Sequence, residues 1–363
     1  MKSVFDFGLN DWELWCSERG LPRFSAKQIF QWIFQKGGKD PAQFTSLSLK
    51  IRQALAEEFN WKLLEIDSHL ISRDESEKVL LRTADDLLIE MVIMPYDNRV
   101  TLCLSSQVGC KRGCTFCQTG RMGLKRNLTS GEILGQLLIA NELLLPKDRT
   151  VTNVVFMGMG EPLDNYDEVV KACRIMLDEN GFGLSSKRVT ISTSGIVPRI
   201  AQLGRELPVR LAISLHSADN EKRSQMMPVN RLYNLEALKK VLIEYPAPHR
   251  LGITFEYVMI EGVNDRKEDA RRLIEFLHGI KARVNLIPIN HFPGVEMHPS
   301  SAKRLQDFQT ELTNCSIPAP VRYSRGVDIS GGCGQLAAKR EGELHLDPRV
   351  LHRERRRSVL NVL

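Results

Sequence analysis

Residues 103–117 read Cys103-Leu-Ser-Ser-Gln-Val-Gly-Cys110-Lys-Arg-Gly-Cys114-Thr-Phe-Cys117, and the last three cysteines are spaced C-x3-C-x2-C. Thiolates this close together hold three irons of a [4Fe-4S] cluster, and the missing fourth ligand leaves one iron open to another group. Structural zinc is the plainer alternative, but it takes four ligands, usually as two C-x2-C pairs. The next cysteines, Cys173 and Cys315, stand alone, and the first histidine after the motif is His216. A disulfide framework is not expected, because Asp6, Asp11 and Glu13 interrupt the early apolar residues and no secretory apolar core follows Met1. A reduced, cytoplasmic setting is the expectation.

Working outward, 363 residues with 42% hydrophobic and 26% charged content suffice for one large domain plus a small one. No apolar run approaches the ~20 residues of a membrane span, so a soluble chain is expected. The net charge of +6 is modest, but Lys111, Arg112, Arg121, Lys125 and Arg126 surround the cysteine loop, and Arg349, Arg353, Arg355, Arg356 and Arg357 crowd the C-terminal end. Charge runs are usually solvated faces; beside a cluster loop, contact with phosphate becomes a competing use.

Apolar β-like runs recur with amphipathic stretches between them, the pattern of a parallel sheet with crossover helices. Candidate strands are 100–104, 151–156, 188–192, 209–214, 253–259, 284–289 and 321–324. These are too few for a closed eight-stranded barrel, and chemistry is expected at their C-terminal ends, where the motifs sit. Thr129-Ser-Gly-Glu132 reads as a capping box opening a helix. Before residue 85 the pattern changes to amphipathic helices at 27–35 and 48–59, separated by Gly37, Gly38 and Pro41. The division read from this is a small helical accessory domain (1–85), a barrel domain carrying the catalytic cysteine loop (86–342) and a basic tail (343–363). The accessory domain either packs on the barrel or contacts RNA.

The triplet, with aromatic Phe116 before its last cysteine, resembles the radical S-adenosylmethionine (SAM) enzymes. Thr101-Leu-Cys-Leu-Ser-Ser-Gln-Val-Gly-Cys110, Gly158-Met-Gly-Glu-Pro162, Ser192-Thr-Ser-Gly195, Ser214-Leu-His216 and Cys333-Gly-Gln-Leu336 narrow the resemblance to the dual-specificity RNA adenine-C2 methyltransferases, the RlmN group. It spans nearly the whole chain. The fold it implies is α/β, a partial six-stranded (β/α) barrel. It implies a [4Fe-4S] cluster on Cys110, Cys114 and Cys117, and SAM held by Gly160, Glu161, Ser192, Ser214, Leu215, His216 and Asn290. A glycine-rich turn after a strand lets backbone approach a ligand closely, and an acid beside it can meet an amine. His291 is a departure, since relatives more often have proline there.

Adenine C2 lies between two ring nitrogens and is not nucleophilic, so direct displacement on SAM cannot methylate it. The resemblance implies two activated steps and two SAM per turnover. Cys333 first takes a methyl group and becomes S-methylcysteine. A radical made from the second SAM removes a hydrogen from that methyl, and the methylene adds to the adenine carbon. Release then needs a base, for which Glu90 stands at the family's proton-acceptor position, and a thiol, Cys103, that forms a disulfide with Cys333. By pattern alone Glu90 is equally a charge on an exposed edge strand, and Cys103 a small buried residue. Ser330, Gly331 and Gly332 replace the acidic residue and alanines more usual before that cysteine, and two glycines suggest a freer loop. Cys16, Cys173 and Cys315 are expected only to pack.

Substrates implied are an adenosine in the peptidyl-transferase region of 23S rRNA and one beside the anticodon of tRNA, with a flavodoxin-type electron donor. Relatives acting at adenine C8 tend to have alanine where this chain has Pro162, which resembles the C2 group. Three alternatives stay open: a C8 methyltransferase, a radical SAM enzyme on a non-RNA substrate, and a noncatalytic metal-stabilised RNA-binding module.

Overall fold

The computed structural model describes residues 1–247, 252–291 and 296–338. The basic tail at 343–363, with its arginines, lies outside the described residues. In chain order the strands are β1 (Lys2–Ser3), β2 (Phe59–Asn60), β3 (Glu65–Ile71), β4 (Glu77–Arg82), β5 (Leu88–Tyr96), β6 (Arg99–Cys103), β7 (Gln107–Cys110), β8 (Gly123–Asn127), β9 (Asn153–Phe156), β10 (Val189–Thr193), β11 (Arg210–Ser214), β12 (Ile253–Met259) and β13 (Ala282–Pro288). The α-helices are α1 (Leu9–Glu18), α2 (Arg23–Phe30), α3 (Leu49–Glu58), α4 (Gln118–Arg121), α5 (Ser130–Leu144), α6 (Tyr166–Leu177), α7 (Val197–Glu206), α8 (Asn220–Met226), α9 (Leu235–Ile243), α10 (Lys267–Leu277) and α11 (Ala302–Asn314).

One sheet runs β13-β12-β11-β10-β9-β6-β5-β4-β3. From β6 through β13 every neighbouring pair is parallel, with helices as crossovers. These six strands are the expected partial barrel. The sheet does not close: β13 ends one side, and β5, β4 and β3 extend the other by antiparallel pairing. The further strand expected at 321–324 is a single bridge, Leu286 to Val321, where the Arg322 N–H donates to the Leu286 carbonyl at 2.7 Å. That bridge brings the following segment back towards the barrel.

Successive residues of a strand face opposite sides. Val154, Phe156, Ile191, Leu211, Ile213, Phe255, Tyr257, Val284 and Leu286 are buried in the core. The alternate set, including Cys103, Thr190, Ser192, Ser214, Glu256 and Asn285, lines interior cavities. The apolar set makes the strands legible; the alternate set faces the cavities.

Strands β3 and β4 fall inside the stretch read as a helical domain, whose α-helices end at Glu58. β3 is an edge strand with Ile66 47% and Ile71 62% exposed, so it lacks the one-sided burial that marks a strand in sequence. The helix expected at 27–35 is the end of α2 followed by a π-helical turn at Gln31–Gln35, and that expected at 48–59 is α3, whose first turn is capped by Ser48. Trp12, Trp15, Phe7 and Phe59 cluster with ring centroids 5.0–5.9 Å apart. The region packs on the barrel: Asp6 Oδ1 accepts the Gly131 N–H at 2.6 Å at the start of α5. That helix opens with the expected capping box, Thr129 Oγ1 accepting from Glu132 N and Glu132 Oε2 from Thr129 N. Among the described residues no helix is long and apolar enough to cross a membrane.

Candidate active site

β7 and β8 form a hairpin that carries the 110–117 loop. Its register slips at Gly109, which has φ +79°, and a Cβ there would lie 1.9 Å from the Gly123 carbonyl oxygen. No L side chain fits that bulge, so glycine is what closes the hairpin. Cys110, Cys114 and Cys117 all line one cavity of about 170 Å³. Burial raises all three thiols, Cys110 to about 12, and Cys114 is raised further by the charges of Cys117 and Cys110. Such thiols release their protons readily only to a metal. Among the described residues no three or more Cys, His, Asp or Glu side chains converge as a single ion requires. Three thiols lining one cavity fit the three-iron hold of a [4Fe-4S] cluster, whereas structural zinc takes four ligands.

The residues expected to hold SAM line the same cavity: Gly160, Glu161, Ser192, Ser214, His216 and Asn290. Gly160, at φ +102°, lies where a Cβ would meet Gln107 Cβ at 2.6 Å, so the turn after β9 crosses directly over the start of β7. The Glu161 carboxylate accepts the N–H groups of Leu163 (3.0 Å) and Ser194 (2.7 Å), which offset the upward push of burial on its pKa. His216 Nδ1 accepts the Val258 N–H at 3.0 Å, so the neutral ring carries its proton on Nε2; burial, with the Arg223 charge, lowers its pKa to about 3. The ring meets Phe116 edge-on at 4.6 Å. Leu215 departs from the set, since it is fully buried and lines neither cavity, and its carbonyl accepts from Arg223 Nε.

Arg223 itself escaped the sequence reading. Its guanidinium is wholly buried and donates to the carbonyls of Leu215, Ser194 and Ser214 and to Asn230 Oδ1. It ties the ends of β10 and β11 to α8, which in turn receives the Thr115 N–H of the cysteine loop at Met226 O, 3.0 Å.

Cys333 borders this cavity and a second one of about 290 Å³, which Cys103 also lines. Cys333 is exposed, unlike the buried Cys103; the protein crowded around its sulfur, then the charges of Glu256 and Cys117, push its thiol up to about 11, and burial, then the Cys333 charge, raises Cys103 further. The loop is held through its backbone. Asn290 Nδ2 donates to Cys333 O at 2.9 Å, the Gln118 N–H to Gly334 O at 2.8 Å, and Gln335 Nε2 to His291 O at 2.9 Å. A Cβ on Gly332 would meet Gln335 Oε1 at 2.7 Å and Asn290 Nδ2 at 2.9 Å. Glycine there provides room for these contacts, so the loop is stitched down where the two glycines had suggested freedom.

Glu90 is not on an exposed edge: β5 lies between β4 and β6, and the carboxylate is fully buried, 3.3 Å from the equally buried Lys78 ammonium. Its Oε2 accepts the Ala337 N–H at 2.8 Å, which puts it behind the segment following Cys333 and outside the lining of both cavities. The carboxyl that does line both is Glu256, raised to about 7 by burial against the opposing Asn285 hydrogen bond. Glu256 interrupts an apolar strand just as Glu90 does, and that interruption was its sequence signal.

The cations around the cysteine loop are less free than expected. Arg112 is paired with Asp164 through both Nε and Nη2, Lys111 lies 3.5 Å from the same carboxylate, and Arg126 is shared between Asp85 and Glu132. Arg112 and Arg126 therefore brace the hairpin. Of the remaining cysteines, Cys16 and Cys173 are buried as expected, whereas Cys315 is exposed at the end of α11.

Residues 104–277 match the family model of the Radical SAM superfamily, and residues 3–60 that of the Ribosomal RNA large subunit methyltransferase N-terminal domain. The chain is 44% identical to the dual-specificity RNA methyltransferase RlmN of Syntrophobacter fumaroxidans, over 93% of this chain and 98% of that one. It is 46% identical to the protein of the same name from Paracoccus denitrificans, over 89% and 86%. The crystal structure of a radical SAM methyltransferase from Sphaerobacter thermophilus superposes with a TM-score of 0.89 at 41% identity, covering 93% of this chain and all of that one.

Proposed function

Because this chain belongs to the RlmN family of radical SAM RNA methyltransferases, we propose that it methylates C2 of adenine in 23S rRNA and in tRNA, with Cys333 as methyl carrier and Cys103 as resolving thiol. The observation that carries this reading is that Cys333 borders both the cavity of the cysteine triplet and the cavity of Cys103. Cluster and SAM together supply the one-electron chemistry that removes a hydrogen atom from an unactivated methyl group. Cys110, Cys114 and Cys117 hold the cluster. Gly160, Glu161, Ser192, Ser214 and His216 hold the amino-acid and nucleoside parts of SAM, with the neutral His216 offering a donor at Nε2.

The Cys333 sulfur attacks the SAM methyl carbon, a new S–C bond forms as the sulfonium S–C bond breaks, and the thiol proton passes to a base. Glu256, with a pKa of about 7 beside Cys333, is suited to take it. Glu90 is assigned the proton of the attacked adenine carbon; its hold on Ala337 means that movement of the Cys333 segment uncovers it. Two SAM per turnover and a flavodoxin-type donor belong to the same proposal.

The test is nucleoside analysis by mass spectrometry of rRNA and tRNA treated with the reduced enzyme and SAM. The expected product is 2-methyladenosine. 8-Methyladenosine would move the assignment to C8, and unmodified RNA with SAM consumed would move it to another substrate.

A further inference from the structure

The second cavity opens from Cys103 and Cys333 past Glu256 and Asn285 to a group of arginines, Arg210, Arg283 and Arg322. They come from β11, β13 and the segment bridged to β13, and Arg322 is exposed while the other two are half-buried. None of the three is ion-paired among the described residues. The Nε atoms of Arg210 and Arg283 are buried with no hydrogen-bond partner. Burial, then the charges of Arg322 and Arg210, holds the Arg283 pKa below its ordinary value, so the three repel one another. Glu256 is the carboxylate that faces them, and it lies deeper, beside the thiols. Like charges held together with buried donors unused are an anion site, and a doubly accepting phosphate oxygen suits guanidinium N–H groups. Tyr323 lines the same mouth with 64% exposure, an open aromatic face of the kind on which an unstacked base rests.

We propose that Arg210, Arg283 and Arg322 bind the RNA backbone phosphates that flank the target nucleotide, so that the nucleotide enters the barrel through this cavity towards Cys103 and Cys333. This rests on the RNA-substrate reading above. It differs from the sequence expectation, which assigned phosphate contact to the cations around the cysteine loop.

The test is fluorescence anisotropy of a fluorescein-labelled RNA hairpin, with adenosines in its loop, titrated with full-length protein at several salt concentrations. Arg283→Gln and Arg322→Gln are each expected to weaken binding about tenfold near ~0.1 M salt and to lower the log–log salt slope by about 0.7, the value for one phosphate contact on a single strand. Arg283→Lys should keep most of the slope. Lys303→Gln, an exposed cation on α11 outside both cavities, should change nothing. Since the glutamine variants remove unpaired charge, they should melt no lower than the parent and bind SAM equally well. Wild-type affinity and slope in both variants would overturn the site and leave the RNA reading standing, as would equal weakening by Lys303→Gln. Failure of the unmutated protein to bind the hairpin would overturn both.

Discussion

Cys333→Ala is expected to lower RNA methylation by on the order of 10³-fold or more, because it removes the proposed methyl-carrying sulfur. The same variant should keep its cluster, its SAM affinity and its melting temperature. Cys333 is held by its backbone, through Asn290 and the contact of Gly334 with Gln118, and among the described residues its side chain forms no hydrogen bond. Alanine preserves every one of those contacts. SAM cleavage under reduction should therefore continue, uncoupled from methyl transfer. An enzyme acting on a small molecule without a methyl carrier would keep its activity in this variant, so the two readings separate cleanly. Cluster content by iron and sulfide analysis, and product by mass spectrometry, check both halves.

Cys103→Ala should fail differently, stopping after one turnover with RNA still attached to Cys333. In the proposed cycle the Cys103 sulfur attacks the Cys333 sulfur. The S–S bond forms, the bond from sulfur to the RNA-borne methylene breaks, and its electron pair leaves with carbon, which takes a proton to become methyl. The disulfide must then be reduced by two electrons from an external dithiol before the next cycle. Both thiols line one cavity, where the buried Cys103 is raised by burial and then by the charge of Cys333. Alanine at 103 leaves the first half of the sequence intact and removes the second. Denaturing gels should show a protein–RNA adduct approaching one per enzyme, absent when Cys333 is also replaced. Multiple turnovers by Cys103→Ala would exclude the disulfide step.

The parts of this enzyme legible in the sequence are those whose signal is local. Ligand spacing around Cys110, the turn at Gly160 and the capping box at Thr129 each lie within a few residues, and the parallel strands declare themselves by their buried faces. Glu256, Arg210, Arg283 and Arg322 stayed hidden because they share a cavity only once separate strands of a curved sheet bring their inward faces together. The fates of Arg112 and Arg126 were hidden for the same reason: Asp164 and Asp85 lie 52 and 41 residues away in the chain. Strand β3 was missed because an edge strand need not alternate. Glu90 was legible as a charge in an apolar strand, but its burial against Lys78 depends on the antiparallel pairing of β4 with β5.

The stored methyl group is the central claim, and it can be examined without RNA. Anaerobically prepared protein incubated with methyl-deuterated SAM, then digested and analysed by peptide mass spectrometry, should carry the trideuteromethyl group on Cys333, with no label in Cys333→Ala. Absence of label from Cys333, with cluster intact and SAM bound, would contradict the methyl-carrier account.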